Sequence, residues 1–78
     1  MARPLYVIAR EIIQTWPRVW FGAKPYLDAM GQMDNIQDNY GYDPGTEIVN
    51  YFLANANTWR GEDARRIKAE LKEMVKNA

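Results

Sequence analysis

The sequence contains no histidine, no cysteine and no serine. Their absence excludes the Ser-His-Asp and Cys-His arrangements with which many enzymes generate a nucleophile. Without imidazole groups, the chain lacks the side chain that most often transfers protons near neutral pH, and the usual zinc sites of cysteine and histidine are excluded as well. Disulfide bonds are impossible, so cysteine usage gives no indication of an oxidising compartment.

An excess of charge of either sign is also missing. Ten Lys and Arg residues balance ten Asp and Glu residues. This balance argues against a general nucleic-acid-binding protein, because such proteins neutralise phosphates with surplus positive charge. A chain of 78 residues buries enough surface for one core, so we predict a single helical domain over residues 1–78.

Long apolar runs are absent too. The apolar stretch from Leu5 to Ala9 is interrupted by Arg10 after five residues, which is too short for the core of a signal peptide. No stretch approaches the roughly 20 apolar residues that a membrane-spanning helix needs. We therefore expect a cytoplasmic protein without a membrane partner.

The sequence does contain four stretches in which apolar residues recur every three to four positions, the period of an α-helix. The predicted helices run from Pro4 to about Thr15, from Pro25 into the Met30 region, from Pro44 to the Asn55 region and from about Trp59 to Lys76. No segment alternates with the period of a strand. The predicted fold class is therefore all-α, with about four helices around one aromatic-rich core.

Two polar residues are predicted to cap the later helices. Asp43 precedes Pro44, an order typical of an N-cap residue followed by a proline in the first helical turn. Thr58 is placed to cap the fourth helix in the same way. Between the second and third helices, residues 34–43 are rich in Asp, Asn and Gly, which predicts a loop.

Aromatic residues make up 13% of the chain. Each aromatic side chain that is buried removes on the order of 200 Å² from water, so these residues would supply much of the apolar area that stabilises the core. We interpret Trp16, Trp20, Phe21 and Trp59 as core residues rather than as a set that stacks on a ligand.

The charges are unevenly distributed along the chain. Residues 1–25 and 58–78 carry net positive charge, whereas residues 26–57 contain five acidic residues and no basic one. Within this acidic region a loop rich in Asn and Gly presents tyrosines, which is typical of protein-binding surfaces. The predicted partner-binding residues are Asp34, Asp38, Tyr40, Tyr42 and Asp43. The alternative is a solvated loop whose tyrosines are half-buried beside the core.

No metal, cofactor or catalytic site is predicted. The spacing of Asp34, Ile36 and Asp38 suggests a calcium-binding loop, but such a loop ends in a glutamate at its twelfth position, which here is Gly45. The other polar residues are not spaced as a catalytic pair, and a helical chain of this length leaves little volume for a substrate pocket. We therefore expect a non-enzymatic protein.

The last predicted helix carries a basic stripe, in which the residues are spaced three, four and four apart. The stripe comprises Arg65, Lys68, Lys72 and Lys76. Such a stripe would suit a phosphate backbone or an acidic protein, which makes a nucleic-acid-contacting protein the alternative function. The remaining interpretation is a solvated helix face, on which Glu62–Arg66 and Arg66–Glu70 form ordinary ion pairs one turn apart.

A family resemblance is carried by three stretches, which together make up 38 of the 78 residues. They are WFGAKPYLDAM (Trp20–Met30), NYGYD (residues 39–43) and YFLANANTWRGEDARRIKAELK (Tyr51–Lys72). Together they resemble a family of short uncharacterised proteins found in phages, prophages and other bacterial mobile elements. The resemblance carries over no site residue, because no function is attached to the family.

What the resemblance implies is a biological context. Small accessory phage proteins without catalytic residues commonly bind and block a host protein, and anti-CRISPR proteins are the best-known group of this size. The resemblance therefore implies an inhibitor that binds a host protein complex, such as a bacterial defence system, in the host cytoplasm. A nucleic-acid-contacting protein and a component of virion or mobile-element assembly are the alternatives.

Overall fold

A computed structural model describes residues 3–78 of the chain, which form four helices and one short hairpin. In chain order the elements are α1 (Leu5–Thr15), α2 (Lys24–Met30), β1 (Asn39–Tyr40), β2 (Asp43–Pro44), α3 (Gly45–Ala54) and α4 (Glu62–Lys76). The predicted four helices are confirmed. The strictly all-α class is wrong, because β1 and β2 pair antiparallel within the predicted loop.

A single hydrophobic cluster lies between the helices, and each helix contributes one apolar face to it. The residues with no exposed surface include Leu5, Ile8 and Ile12 of α1, Met30 of α2, Val49 and Phe52 of α3, and Ile67 and Leu71 of α4. The spacing of these residues by three and four is the reason for their burial, since it places them on one side of each helix. The predicted apolar stripes are thus confirmed.

The first turn of α1 is held by backbone groups rather than by a side-chain cap. The Leu5 and Tyr6 N–H groups donate to the carbonyl oxygens of Asp34 and Met33, each at 2.9 Å. These two donors belong to the four N–H groups that any helix leaves without a partner at its start. The segment that follows α2 is therefore fastened to the beginning of α1.

The predicted cap at Asp43 is wrong. Asp43 pairs with Tyr40 in the hairpin, and Pro44, in an extended conformation, is the residue that precedes α3. The first residue of α3, Gly45, lies directly against the backbone of Ile36: a Cβ atom at this position would meet the Ile36 carbonyl oxygen at 2.3 Å. Close approach of the two backbones therefore decides where α3 begins.

The predicted cap at Thr58 is also wrong, because α4 begins three residues later than predicted. The Trp59 N–H group donates to the carbonyl of Ala56 at 3.1 Å, so this stretch forms a turn. The residue before α4 is Gly61, whose φ of 111° lies in a region that favours glycine. Because of the turn and this glycine, α4 begins only at Glu62.

Three aromatic side chains form the buried aromatic cluster: Trp16, Phe52 and Trp59. The two indole rings are stacked with centroids 5.5 Å apart and planes 9° from parallel, and the edge of the Phe52 ring approaches both. Burial of the two tryptophans is as predicted. Trp20 and Phe21 are not in the core, however, since they retain 45% and 73% of their exposure.

Ion pairs join the beginning of the chain to α4. The Arg3 guanidinium donates two hydrogen bonds to Glu70, at 2.6 and 2.9 Å, and its Nη2 lies 2.9 Å from Glu11. Arg66 of α4 donates to the same Glu11 carboxylate at 2.7 Å. Hydrogen bonds from Arg66 and Arg3 therefore hold the pKa of the Glu11 carboxyl below its ordinary value.

These contacts replace the ion pairs predicted within α4. Arg66 binds Glu11 and Asp63 rather than Glu62 or Glu70, and Glu70 binds Arg3. The prediction considered only neighbours on the same helix, whereas α1 packs beside α4 and offers a carboxylate between two arginines.

Within residues 3–78, no helix is long and apolar enough to cross a membrane.

Candidate functional site

The acidic tyrosine segment, residues 34–43, ends in a tight hairpin that displays its tyrosines. Gly41 occupies the first of the two turn positions with a φ of 65°, which matches a type II′ turn, in which glycine is preferred. Tyr42, the second turn residue, is fully exposed, and Tyr40 retains 40% exposure. The turn therefore projects one aromatic side chain into solvent and keeps another beside it.

The base of the hairpin is fixed by Asp38. Its carboxylate accepts a hydrogen bond from the Asn35 N–H at 3.1 Å, and its carbonyl accepts one from the Gly45 N–H at 2.8 Å. Ile36, between these residues in the chain, is buried in the core. Asp38 is thus placed to hold the hairpin in position, whereas the residues at the tip are free to contact a partner.

Three of the five predicted partner-binding residues lie together at the tip. Tyr40 and Asp43 are paired across the hairpin, and Tyr42 lies in the turn between them. Asp34 is exposed at the other end of the segment, where its backbone carbonyl accepts the Leu5 N–H. Sequence reasoning identified these residues but did not predict the hairpin that brings three of them together.

The basic stripe on α4 is not uniform. Arg65, Lys72 and Lys76 are exposed, whereas Lys68 is half-buried. The Lys68 ammonium donates to the carbonyl oxygens of Ala56 and Trp59, both at 2.7 Å. Burial lowers the pKa of Lys68, and the nearby positive charges of Lys72 and Arg60 act in the same direction. Lys68 therefore holds the turn before α4.

A basic groove of about 460 Å³ lies beside this lysine. Its lining residues are Asn57, Trp59, Arg60, Gly61, Ala64, Arg65 and Lys68. The lining contains three cationic side chains and no carboxylate, an arrangement that suits an anionic group. We name it the Arg60 groove after the one cationic lining residue that lies outside the basic stripe.

The aromatic turn, residues 17–24, is the surface that sequence reasoning missed. It connects α1 to α2 and exposes the side chains of Trp20 and Phe21, whose ring centroids are 4.3 Å apart. The signal in the sequence that could have identified this surface is Pro17. It ends α1, so the residues after it no longer belong to the apolar face of the helix. The two neighbouring rings form an exposed aromatic pair on this side of the molecule.

The exposed aromatic surface extends from this turn towards α3. The Trp20 indole nitrogen and the Asn55 side-chain oxygen both lie beside Gly22, at 2.5 and 3.1 Å from where its Cβ would be. Asn55 in turn donates to the carbonyl of Tyr51 at 2.8 Å. The Tyr51 ring lies 5.4 Å from that of Tyr26, so the contact of Asn55 with the Tyr51 backbone links the turn to the helix that carries this second aromatic pair.

Another groove, of about 550 Å³, lies between the start of the acidic tyrosine segment and the end of α4. Its charged wall includes Arg3 and Glu70, which already bind each other. In the part of the chain that the structure describes, no three His, Cys, Asp or Glu residues are grouped to hold a metal ion.

Comparison with known proteins finds no relative of this chain. The sequence matches no family model, and no curated protein or solved structure is similar to it. The resemblance to phage and mobile-element proteins consequently stays a prediction. A functional proposal must be argued from the three surfaces themselves: the acidic tyrosine segment, the Arg60 groove and the aromatic turn.

Proposed function

We propose that the chain is a non-enzymatic protein-binding domain, which binds a host protein complex through the acidic tyrosine segment in the bacterial cytoplasm. The observation that carries this proposal is the full exposure of Tyr42 on a turn whose base is hydrogen-bonded to the core-facing backbone. Aromatic anchors presented on a fixed backbone lose little entropy on binding and often supply most of the energy of an interface.

Charge supports the same surface. The Asp34 and Asp43 carboxylates are exposed and form no ion pair within residues 3–78. Unpaired carboxylates around an aromatic anchor increase the association rate with a basic partner surface and exclude acidic ones. The preferred partner surface therefore carries positive charge around a pocket for an aromatic side chain.

The resemblance to short phage and mobile-element proteins suggests the kind of partner. Accessory proteins of that class commonly block a host complex, and inhibition of a defence system of the CRISPR-Cas type is the role we propose. Inhibition requires only that the bound domain cover a working surface of the complex, which a chain without nucleophilic or metal chemistry is able to do.

The test is capture of partners from bacterial lysate by the immobilised protein, compared with Tyr42→Ala. Truncation of an interface anchor costs at least about 2 kcal/mol, so the captured complex should be lost or reduced by more than tenfold. Tyr6→Ala is the matched control, since it removes a partly exposed aromatic ring on α1, outside both the segment and the aromatic turn. Asp34→Asn/Asp43→Asn should mainly slow association and weaken its dependence on salt.

Two results would contradict the proposal. One is a partner captured equally by the parent and the Tyr42→Ala protein, which would move the interface elsewhere. The other is recovery of phage structural proteins rather than host proteins when the lysate is prepared from phage-infected cells, which would favour the assembly role. Circular dichroism of each variant, compared with the parent, establishes that the fold is unchanged.

The Arg60 groove favours a second candidate function, contact with nucleic acid. Its cationic side chains have no carboxylate on the groove wall, and phosphate contacts are made mainly by such residues. Fluorescence anisotropy with labelled single-stranded and duplex DNA would show binding that weakens steeply with salt. Arg60→Gln/Arg65→Gln should abolish this binding, and absence of binding by the parent at low salt would eliminate the candidate.

A further inference from the structure

Backbone hydrogen bonds fix the course of the chain beneath the exposed rings of the aromatic turn. The Ala23 N–H donates to the Trp20 carbonyl at 2.9 Å, and the Lys24 N–H donates to the Phe21 carbonyl at 3.2 Å. The Trp20 ring also lies against Gly22, where a Cβ atom would meet the indole nitrogen at 2.5 Å. A surface that is ordered before binding loses less entropy when a partner arrives.

The same turn forms one wall of an apolar groove of about 360 Å³, which we name the turn groove. Its lining residues are Ile13, Trp16, Pro17, Arg18, Val19, Lys24, Leu27 and Asp28. Val19 directly precedes Trp20, and Lys24 follows Phe21 by three residues, so the connection between α1 and α2 carries both the groove lining and the exposed aromatic pair. The apolar lining, which includes the half-exposed Ile13, suits one apolar side chain of a partner.

The charges of the turn groove indicate what surrounds that side chain. Arg18 and Lys24 are exposed and form neither an ion pair nor a side-chain hydrogen bond within residues 3–78. Asp28 is the one acidic residue among the groove's lining residues, so the lining as a whole is positive. Carboxylates on a partner would complement it, as opposite charges do across specific interfaces.

We propose that the turn groove, together with Trp20 and Phe21, docks a short segment of a partner protein in which an apolar side chain is flanked by acidic residues. This inference deepens the proposed protein-binding role, because it adds a second contact surface and states the chemistry of its partner. A protein segment fits better than a membrane surface, since the site is a concave groove of a size that admits one side chain.

The experiment is selection of random twelve-residue peptides displayed on phage against the immobilised full chain. The enriched peptides should carry Asp or Glu beside Leu, Phe or another large apolar residue. A synthetic copy of an enriched peptide should shift the indole N–H resonance of Trp20 and protect its fluorescence from acrylamide, while the buried Trp16 and Trp59 stay unaffected.

Variants localise the binding. Phe21→Ala should weaken the peptide's affinity by at least about tenfold, as expected for an anchor, and Arg18→Gln/Lys24→Gln should weaken it similarly at low salt. Lys72→Gln/Lys76→Gln is the matched control, because it changes the net charge by the same amount on α4 and should leave the affinity unchanged.

Several results would overturn the inference. They are failure to enrich any peptide, enrichment without acidic residues, and affinity unchanged by Phe21→Ala. Self-association of the parent that Phe21→Ala abolishes would assign the groove to a second copy of the chain, whose own hairpin is acidic and aromatic. Binding to vesicles of anionic phospholipid that is lost in the same variant would assign it to a membrane.

The result also separates this inference from the proposed function. If a host protein is captured through Tyr42 but no acidic peptide binds at Trp20, only the turn groove is misassigned. If acidic peptides bind at Trp20 but capture of a host protein does not depend on Tyr42, only the role of the acidic tyrosine segment is wrong.

Discussion

Trp16 and Trp20 are four residues apart in the sequence, yet the first lies in the core and the second lies on the surface. Trp16 continues the apolar face of α1 and stacks on Trp59. Trp20 follows Pro17, which redirects the chain, and its ring lies over Gly22 at the edge of α2. Two chemically identical side chains therefore differ in burial because one lies before the end of α1 and the other lies after it.

The two regions also differ in what holds them. The buried aromatic cluster is surrounded by apolar side chains and closed by the Lys68 ammonium, which lies 5.8 Å from the Trp59 ring centroid. Trp20 and Phe21 have backbone hydrogen bonds beneath them and solvent on their outer side. The first arrangement contributes stability, and the second keeps aromatic area available for a partner.

Truncation of one phenylalanine in each region, Phe52 in the core and Phe21 in the aromatic turn, should give the largest difference in the free energy of unfolding. Phe52→Ala should lower the free energy of unfolding by about 3–5 kcal/mol, because it opens a cavity beside both core tryptophans. Phe21→Ala should change it by less than about 0.5 kcal/mol, as exposed substitutions do. Urea unfolding followed by circular dichroism measures both, and equal losses would show that the turn is part of the core.

Replacement of Lys68 tests how the buried aromatic cluster is closed. Lys68→Met keeps the length of the side chain but removes the ammonium donor from the Trp59 carbonyl and leaves the Ala56 carbonyl with the Trp59 N–H alone, which should cost about 1–2 kcal/mol. Lys72→Met, one turn further along α4, is the control and should be nearly neutral. If the two variants unfold at the same urea concentration, the hydrogen bonds of Lys68 do not contribute to stability.

A methyl group at Gly22 tests how the exposed ring is held. Gly22→Ala should displace the Trp20 ring, since the new Cβ atom would lie 2.5 Å from its indole nitrogen. The loss of stability should stay below about 1 kcal/mol, because a half-exposed ring has room to move. Stronger quenching of Trp20 fluorescence by acrylamide is the expected signal, and quenching equal to the parent's would contradict this account.

Lowering the pH should weaken the ion pairs that join α1 to α4 and should leave the aromatic turn unchanged. Because the folded pKa of Glu11 lies below its ordinary value of 4.5, the unfolded chain binds more protons as the pH falls through this range. The stabilisation by Glu11 is therefore complete above pH 4.5 and is lost as the pH falls through the folded pKa.

Glu11→Gln provides the measurement for this small effect. The difference in stability between parent and variant should be largest near pH 7 and should shrink as the pH is lowered past 4.5. Urea unfolding at several pH values gives the difference directly. A difference that does not depend on pH would mean that the Arg3 and Arg66 contacts with Glu11 do not alter its protonation.

The sequence was sufficient to predict the helices and most of the core. Apolar spacing identified the faces of α1, α3 and α4, and Pro17 identified the end of α1, because both signals depend on residues close together in the chain. The acidic tyrosine segment was predicted as a surface from charge and composition alone.

Features that depend on distant residues were not predictable in the same way. The start of α3 depends on the close approach of Gly45 to Ile36, and Arg66 binds a carboxylate on another helix. Neither contact leaves a local pattern. Trp20 and Phe21 were assigned to the core because aromatic residues usually lie there, and no periodic rule describes the path of a chain after a proline.

The backbone fastening of α1 has a consequence for how the protein can diversify. The carbonyl groups of Met33 and Asp34 accept the first two N–H groups of the helix, and every amino acid supplies the same carbonyl. The fold therefore places no demand on the Asp34 side chain, and the Tyr42 side chain at the tip is fully exposed. Substitutions at these two positions would change the chemistry of the surface at little risk to folding, so both positions are free to diversify.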